Sequence, residues 1–291
     1  MSVPLTAHST ASAKLLSPDA ISQYHRDGFY FPIKVMSEAA ACALRDRLES
    51  YEKAQGGPLD QVYRRHKVHL LFTWLWQLIH NPNILDAVED LIGPNILCWS
   101  SSFFIKEAHD PSFVSWHQDA TYWGLSTDDV VTAWVALSPS TIPAGAMRVV
   151  PRSHLTPFEH RDTFAPNNML TRGQEVMVDI DDATAVDLVL RPGEMSLHHV
   201  GIVHGSEPNQ SDDRRIGLAI RYIPTHVRQI KGPQDGATLV RGVDAFGHFD
   251  KDLTPETDFS PAVLALHHRI FDRHSKLAPG KSDTSGKAAA S

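Results

Sequence analysis

The chain has 291 residues, enough for one large domain or two small ones, and its 42% hydrophobic and 21% charged residues match ordinary soluble globular proteins. A net charge of −7 argues against a nucleic-acid partner, which wants a basic stripe, and against an anionic membrane surface. The two cysteines, Cys42 and Cys98, stand in apolar contexts without CxxC spacing and read as buried, reduced thiols.

Residues 1–16, rich in Ser, Thr and Ala, hold no apolar run of signal-peptide length and read as disordered. The longest apolar stretch, residues 68–79, is broken by His69, Thr73 and Gln77 and falls short of the roughly 18 apolar residues of a membrane helix. Together these features predict a cytoplasmic protein. Ser17-Pro18-Asp19 is a helix start, with Ser as N-cap and Pro at the first helical position. That helix runs to about His25, and Asp27-Gly28 turns the chain into a short strand, Phe29-Tyr30-Phe31-Pro32-Ile33. Ser37 and Glu38 open a second helix in which Ala41, Leu44, Leu48 and Tyr51 recur at helical spacing, ended by Gly56-Gly57-Pro58. A third helix is predicted over 68–79. A fourth follows Asn81-Pro82 through Ile84, Val88, Leu91 and Ile92 to Gly93-Pro94.

From Asn95 the texture changes. Strands are predicted at 96–106, 130–137, 147–150, 185–190, 194–200 and 215–223, the fourth and fifth flanking the turn Arg191-Pro192-Gly193. Helices first, then about eight short antiparallel strands, predict a mainly β fold with flanking helices, closed or double-sheeted. Residues 155–184 form a long turn-rich interruption, read as a lid or binding loop. The domain spans 17–278, and the Gly/Ser/Lys/Ala tail at 279–291 reads as disordered.

The chemistry centres on Trp116-His117-Gln118-Asp119-Ala120-Thr121-Tyr122-Trp123-Gly124. On an extended strand, residues i and i+2 share a face, so His117 and Asp119 converge. An imidazole and a carboxylate suit a divalent first-row metal but need a third partner. His204 is the candidate, and His198 its rival by strand parity. Two histidines and one carboxylate leave open metal positions, as in non-heme Fe(II) oxygenases. After His204-Gly205-Ser206, the turn residues Pro208, Asn209 and Ser211 lead to Arg214-Arg215. A guanidinium returning beside His204 suits a carboxylate through paired hydrogen bonds. Arg214 shares its face with Ile216, Leu218 and Ile220, which look like packing. Arg215 shares its face with Gly217 and Ala219, which leave room for a ligand, so Arg215 is favoured. His199 faces away from the site, and His226, His248, His267, His268 and His274 read as surface residues.

These pieces resemble the phytanoyl-CoA dioxygenase family of iron(II)- and 2-oxoglutarate-dependent oxygenases. The resemblance runs over roughly residues 20–225. It is carried by Tyr24-His25-Arg26-Asp27-Gly28-Phe29-Tyr30, Trp116-His117-Gln118-Asp119, the Trp134 strand, Met147-Arg148-Val149-Val150-Pro151-Arg152-Ser153-His154, Arg191-Pro192-Gly193-Glu194, and His204-Gly205-Ser206-Glu207-Pro208-Asn209 with Arg215. It implies a double-stranded β-helix (jelly-roll, cupin-like) core, iron held by His117, Asp119 and His204, and 2-oxoglutarate and O2 as cosubstrates. It also implies that Arg215 pairs with the distal 2-oxoglutarate carboxylate, helped by Ser206, with Trp134 lining the cosubstrate and Lys106 within reach. The family's Pro-Gly-Ser-His reads Pro151-Arg152-Ser153-His154 here, so that turn is expected to differ. Asp119 stands where halogenating relatives carry Ala or Gly, which favours oxygen insertion over chlorination. The expected reaction is hydroxylation of an unactivated C–H bond of a small organic molecule. Desaturation, cyclisation or epimerisation by the same chemistry, or a metal-dependent hydrolase or isomerase on the same barrel, stand as alternatives. Substrate contacts are expected from Gln118, Tyr122 and Trp123. Oligomeric state is left open.

Overall fold

The computed structural model describes residues 13–277, apart from 171 and 233. The predicted disordered tail at 279–291 and residues 1–12 of the predicted disordered N-terminus lie outside that range. Residues 14–16 do not fit that expectation. The amides of Lys14, Leu15 and Leu16 donate to the Asp90 carboxylate at 2.7–2.9 Å, and Leu16 is buried.

Six helices precede most of the sheet. They are α1 (Pro18–Asp27), α2 (Glu38–Gln55), α3 (Gln61–Arg65), α4 (Val68–Leu71), α5 (Thr73–Ile79) and α6 (Pro82–Ile92), with β1 (Phe29–Lys34) between the first two. Ser17 caps α1 through Ala20 N at 3.2 Å, as its sequence predicts. The predicted helix over 68–79 is two helices, because Phe72 is extended (φ −125°, ψ 126°). The backbone groups freed at this break are satisfied from far along the chain. Phe259 N donates to Leu71 O at 2.8 Å, and Thr73 N donates to Asp258 Oδ1 at 2.7 Å.

The strands follow as β2 (Ile96–Lys106), β3 (Val114–His117), β4 (Val131–Ala136), β5 (Met147–Val149), β6 (His160–Asp162), β7 (Gln174–Val176), β8 (Val186–Leu188), β9 (Glu194–His199), β10 (His204–Ser206), β11 (Arg215–Pro224), β12 (Gly236–Arg241) and β13 (Asp250–Lys251). A seven-stranded sheet has the order β1-β9-β4-β11-β2-β12-β13, and a four-stranded sheet the order β3-β10-β5-β8. The two form the double-stranded β-helix. Although β8 and β9 flank the turn at Gly193, they do not pair; each goes to a different sheet. The 155–184 stretch carries its own ribbon, β6 paired with β7. A helix α7 (Ala120–Trp123) and a C-terminal helix α8 (Pro261–Leu277) complete the fold. No helix among the described residues is long and apolar enough to cross a membrane.

The sheet positions chemistry by alternation. On β11, Ile216, Leu218, Ile220 and Tyr222 join Val131, Ala133 and Val135 of β4 in the core beneath the helices. Their neighbours Arg215, Gly217, Ala219 and Arg221 therefore point between the sheets. Behind the large sheet, Lys67 is 1% exposed, and its ammonium donates to Gly236 O at 2.6 Å and to Asp252 Oδ2 at 3.1 Å. Burial opposes its charge, but Asp252 and Asp235 outweigh that and hold it protonated.

Four expectations are corrected. Cys42 is exposed on α2, and only Cys98 is buried. His267 is buried, with Nε2 2.6 Å from His66 O, because α8, which the sequence pattern did not show, packs it against the N-terminal helices. Strand β12 pairs with β2 beyond the last strand predicted. Arg152 keeps the left-handed backbone (φ 68°, ψ 0°) that glycine favours, so that turn survives the substitution.

Candidate active site

His117 ends β3 and His204 begins β10, and the two are register partners in the small sheet. Asp119 is not on the strand. The chain turns into an αR conformation there (φ −65°, ψ −38°), and this turn, rather than strand alternation, brings its carboxylate back. Asp119 Oδ1 lies 3.3 Å from His117 Nε2, and one donor atom from each of His117, Asp119 and His204 falls within 4.8 Å of the others. Both rings are oriented by backbone carbonyls. His117 Nδ1 lies 2.9 Å from Ser115 O and 3.1 Å from His204 O, and His204 Nδ1 lies 3.0 Å from Ile202 O. A carbonyl only accepts, so each Nδ1 carries the hydrogen and each Nε2 keeps a lone pair for a metal. Burial first, then the neighbouring His117, pushes His204 down to about 4, so it is neutral near pH 7. Burial alone would raise the Asp119 carboxyl; its neighbours His117 and His204 reverse that and hold it ionised. The donor set therefore fits a divalent cation.

The segment between the ligands is fixed by the 155–184 stretch. His160 Nδ1 donates to Phe158 O at 2.9 Å, so His160 Nε2 accepts the Gln118 amide at 2.9 Å. The Gln118 side chain donates to Thr156 O (2.9 Å) and Gly201 O (2.6 Å) and accepts from Phe158 N (2.9 Å). Gln118 is buried and committed to backbone, and it does not line the cavity as a substrate contact would. Nor do Tyr122 and Trp123. Tyr122 lies edge-on to His160, and Trp123 packs on Trp99 with the Arg221 guanidinium 5.2 Å from its ring.

A cavity opens beside the triad between the two sheets. Arg215 lines it, 2% exposed, and donates to Gly145 O while its Nε has no partner. Among the described residues no carboxylate pairs with it, and burial lowers its proton affinity to about 10, leaving it charged. Its guanidinium lies 5.4 Å from the centre of the Trp134 ring. Lys106, its register partner on β2, donates to Ser206 Oγ at 2.8 Å and to Glu207 O. Burial first and Arg215 second push the Lys106 ammonium down to about 6. Arg214 faces the other way, paired with Glu52 (2.6 Å) and Glu107 (2.7 Å). The space expected above Gly217 is not free: the Trp134 indole occupies it.

Two polar residues of the cavity, Thr132 and Arg221, were not singled out from the sequence, and His198, the rival third ligand, lines it too. His198 lies on β9, its ring 5.2 Å from that of His204, and stands outside the triad. Arg221 has the same strand parity as Arg215, so the rule that favoured one also placed the other inward. His160 left no local signal.

Two imidazoles and a carboxylate held in a double-stranded β-helix, with an arginine buried in the same cavity, define the class of mononuclear non-heme iron oxygenases. The chain belongs to the phytanoyl-CoA dioxygenase (PhyH) family, whose sequence profile matches residues 24–217. It is by class an Fe(II)- and 2-oxoglutarate-dependent dioxygenase, with Fe(II), 2-oxoglutarate and O2 as its cofactor set. Among solved structures it is similar to the non-heme monooxygenase ThoJ. The apo form is 38% identical with a TM-score of 0.78, covering 89% of this chain and 96% of that one. A ThoJ–Ni complex is 35% identical with a TM-score of 0.74, covering 89% and 98%. A probable alpha-ketoglutarate-dependent hypophosphite dioxygenase of Stutzerimonas stutzeri is 30% identical over 174 residues. That match takes in 59% of this chain and only 60% of the relative. L-Proline trans-4-hydroxylase of Streptomyces griseoviridis is 25% identical over 73% of this chain and 88% of the relative.

Proposed function

We propose that this protein hydroxylates an unactivated C–H bond of a small organic substrate, with His117, Asp119 and His204 as iron ligands and Arg215 as the anchor of 2-oxoglutarate. One observation carries the reading: the three donor atoms within 4.8 Å share a cavity with a buried arginine that lacks an acid partner. A hydrolase built on the same triad gives that arginine no task. A bound iron would supply the chemistry in which O2 oxidises both partners, 2-oxoglutarate to succinate and CO2 and the substrate to its hydroxylated product. The chain supplies the rest. The carbonyls of Ser115, His204 and Ile202 orient the imidazoles. Arg215 offers its guanidinium to the distal carboxylate, with Ser206, tied to Lys106, beside it and Trp134 as a wall. The 155–184 ribbon holds the ligand segment and acts as the lid, within a single 17–278 domain. Desaturation, cyclisation and epimerisation begin from the same hydrogen removal and differ only in the later fate of the substrate. L-Proline trans-4-hydroxylase, a relative over 88% of its length, supports hydroxylation.

The test is anaerobic addition of Fe(II) and 2-oxoglutarate, following the weak visible charge-transfer band of the chelate. The wild-type protein should show the band, and His204→Ala should not. Arg215→Gln should need at least about 100-fold more 2-oxoglutarate, the order expected when a buried charged partner is removed. A folded wild-type protein without the band would refute the assignment.

A further inference from the structure

Building on that assignment, we propose that the primary substrate carries one carboxylate, and that Arg221, with Thr132 and His198 beside it, binds that carboxylate next to the metal centre.

The three residues form one row across the inner face of the large sheet. Arg221 of β11 stands opposite Thr132 of β4, and Thr132 opposite His198 of β9. All three line the cavity. Thr132 is 1% and His198 2% exposed, yet Thr132 Oγ1 and His198 Nδ1 have no hydrogen-bond partner. Two such groups side by side are costly unless a ligand completes them. Arg221 donates to Ser102 Oγ at 2.8 Å and rests on Trp123, and no carboxylate among the described residues pairs with it. Its planar fork suits a two-oxygen acceptor.

Charge balance selects the ligand's sign. A divalent metal with Asp119 leaves one positive charge. The 2-oxoglutarate dianion turns that into one negative charge, and Arg215 cancels it. Lys106, lowered to about 6, adds little near neutral pH. Arg221 then remains as a surplus cation in a buried cavity, and a monoanionic substrate neutralises it. The two arginines are six residues apart on one strand, about 20 Å at the usual rise, so their anions are distinct.

The experiment loads the enzyme anaerobically with Fe(II) and 2-oxoglutarate and titrates two pairs of probes, formate against formamide and phenylacetate against phenylacetamide. Each pair matches in shape and differs in charge, and the shift of the charge-transfer band reports binding near the iron. We expect at least one acid to shift the band at a tenfold lower concentration than its amide. Arg221→Gln should cut that preference to within twofold while the chelate still forms at the wild-type 2-oxoglutarate concentration. Arg221→Lys, which keeps the charge, should recover part of the preference, and circular dichroism checks that each variant folds. The proposal is overturned if neither acid shifts the wild-type band, if the amides match the acids, or if the preference survives Arg221→Gln. It is also overturned if Arg221→Gln raises the 2-oxoglutarate requirement tenfold, since Arg221 would then serve the cosubstrate. Absence of the band from the wild-type enzyme would instead overturn the oxygenase assignment itself.

Discussion

One methyl group added at Gly217 should disable the Arg215 end of the cavity and spare the metal ligands. A Cβ built there meets Trp134 Cζ2, Cε2 and Cη2 far inside 3.0 Å, a separation real Cβ atoms essentially never show. Ordinary contact begins at 3.4 Å, so the indole must withdraw by well over an ångström. The backbone has little freedom to yield, because β11 is hydrogen-bonded to β2 on one side and β4 on the other. Overpacking of this kind costs about 1–3 kcal/mol. At roughly 2–4 °C per kcal/mol for a chain of this size, Gly217→Ala should melt about 2–12 °C below wild type. Because the displaced ring also faces Arg215, the 2-oxoglutarate concentration that half-saturates the charge-transfer band should rise about tenfold, equivalent to about 1.4 kcal/mol. Metal affinity, measured with Co(II), should hold within about twofold, since no member of the triad lies on β4 or β11. Trp134→Leu removes the clashing ring atoms, so in that background Gly217→Ala should cost less than half its melting penalty. Wild-type melting and wild-type 2-oxoglutarate affinity in Gly217→Ala would refute the reasoning.

Two further outcomes are expected from the same packing. Burial lowers the proton affinity of His198, His204 and His267 below the unfolded value of 6.5, the last two to about 4. As pH falls from 6.5 towards 4 the unfolded chain takes up protons that the folded chain refuses, so stability drops, by up to about 1.4 kcal/mol per pH unit for each ring. The metal-free protein should therefore unfold at lower urea concentration at pH 5.5 than at pH 7.5; an unchanged midpoint contradicts this. His160→Leu removes the acceptor for the Gln118 amide and should weaken Co(II) binding roughly tenfold, the usual cost of losing an outer-shell partner. His160→Gln, which can still accept, should stay within about threefold, and equal affinities for the two variants would show that His160 only fills space.

The strand alternation was legible because both faces of the large sheet are written at period two. Ile216, Leu218, Ile220 and Tyr222 alternate with residues directed inward, which singled out Arg215 over Arg214 before any geometry was known. The grouping of His117, Asp119 and His204 was legible too, although the mechanism differs: a turn at Asp119, not an extended strand, closes the group. Contacts between distant segments were not legible. Nothing near Phe72 announces that Asp258 and Phe259 satisfy the backbone there, so residues 68–79 read as one helix. Gln118 looked like a substrate contact because it sits between two ligands, while its side chain's four backbone partners come from remote segments. The small residue at 217 suggested room for a ligand, but it accommodates a neighbouring indole.

The ammonium of Lys67 has a consequence for how far this chain tolerates shortening. The profile of the family ends at residue 217, while Asp252 lies beyond it. A relative that lacks the last strands would strand a cation in an oily interior. Lysine at 67 and the C-terminal strands should therefore be gained and lost together, and a polypeptide trimmed to the matched region would not be a smaller version of the same enzyme.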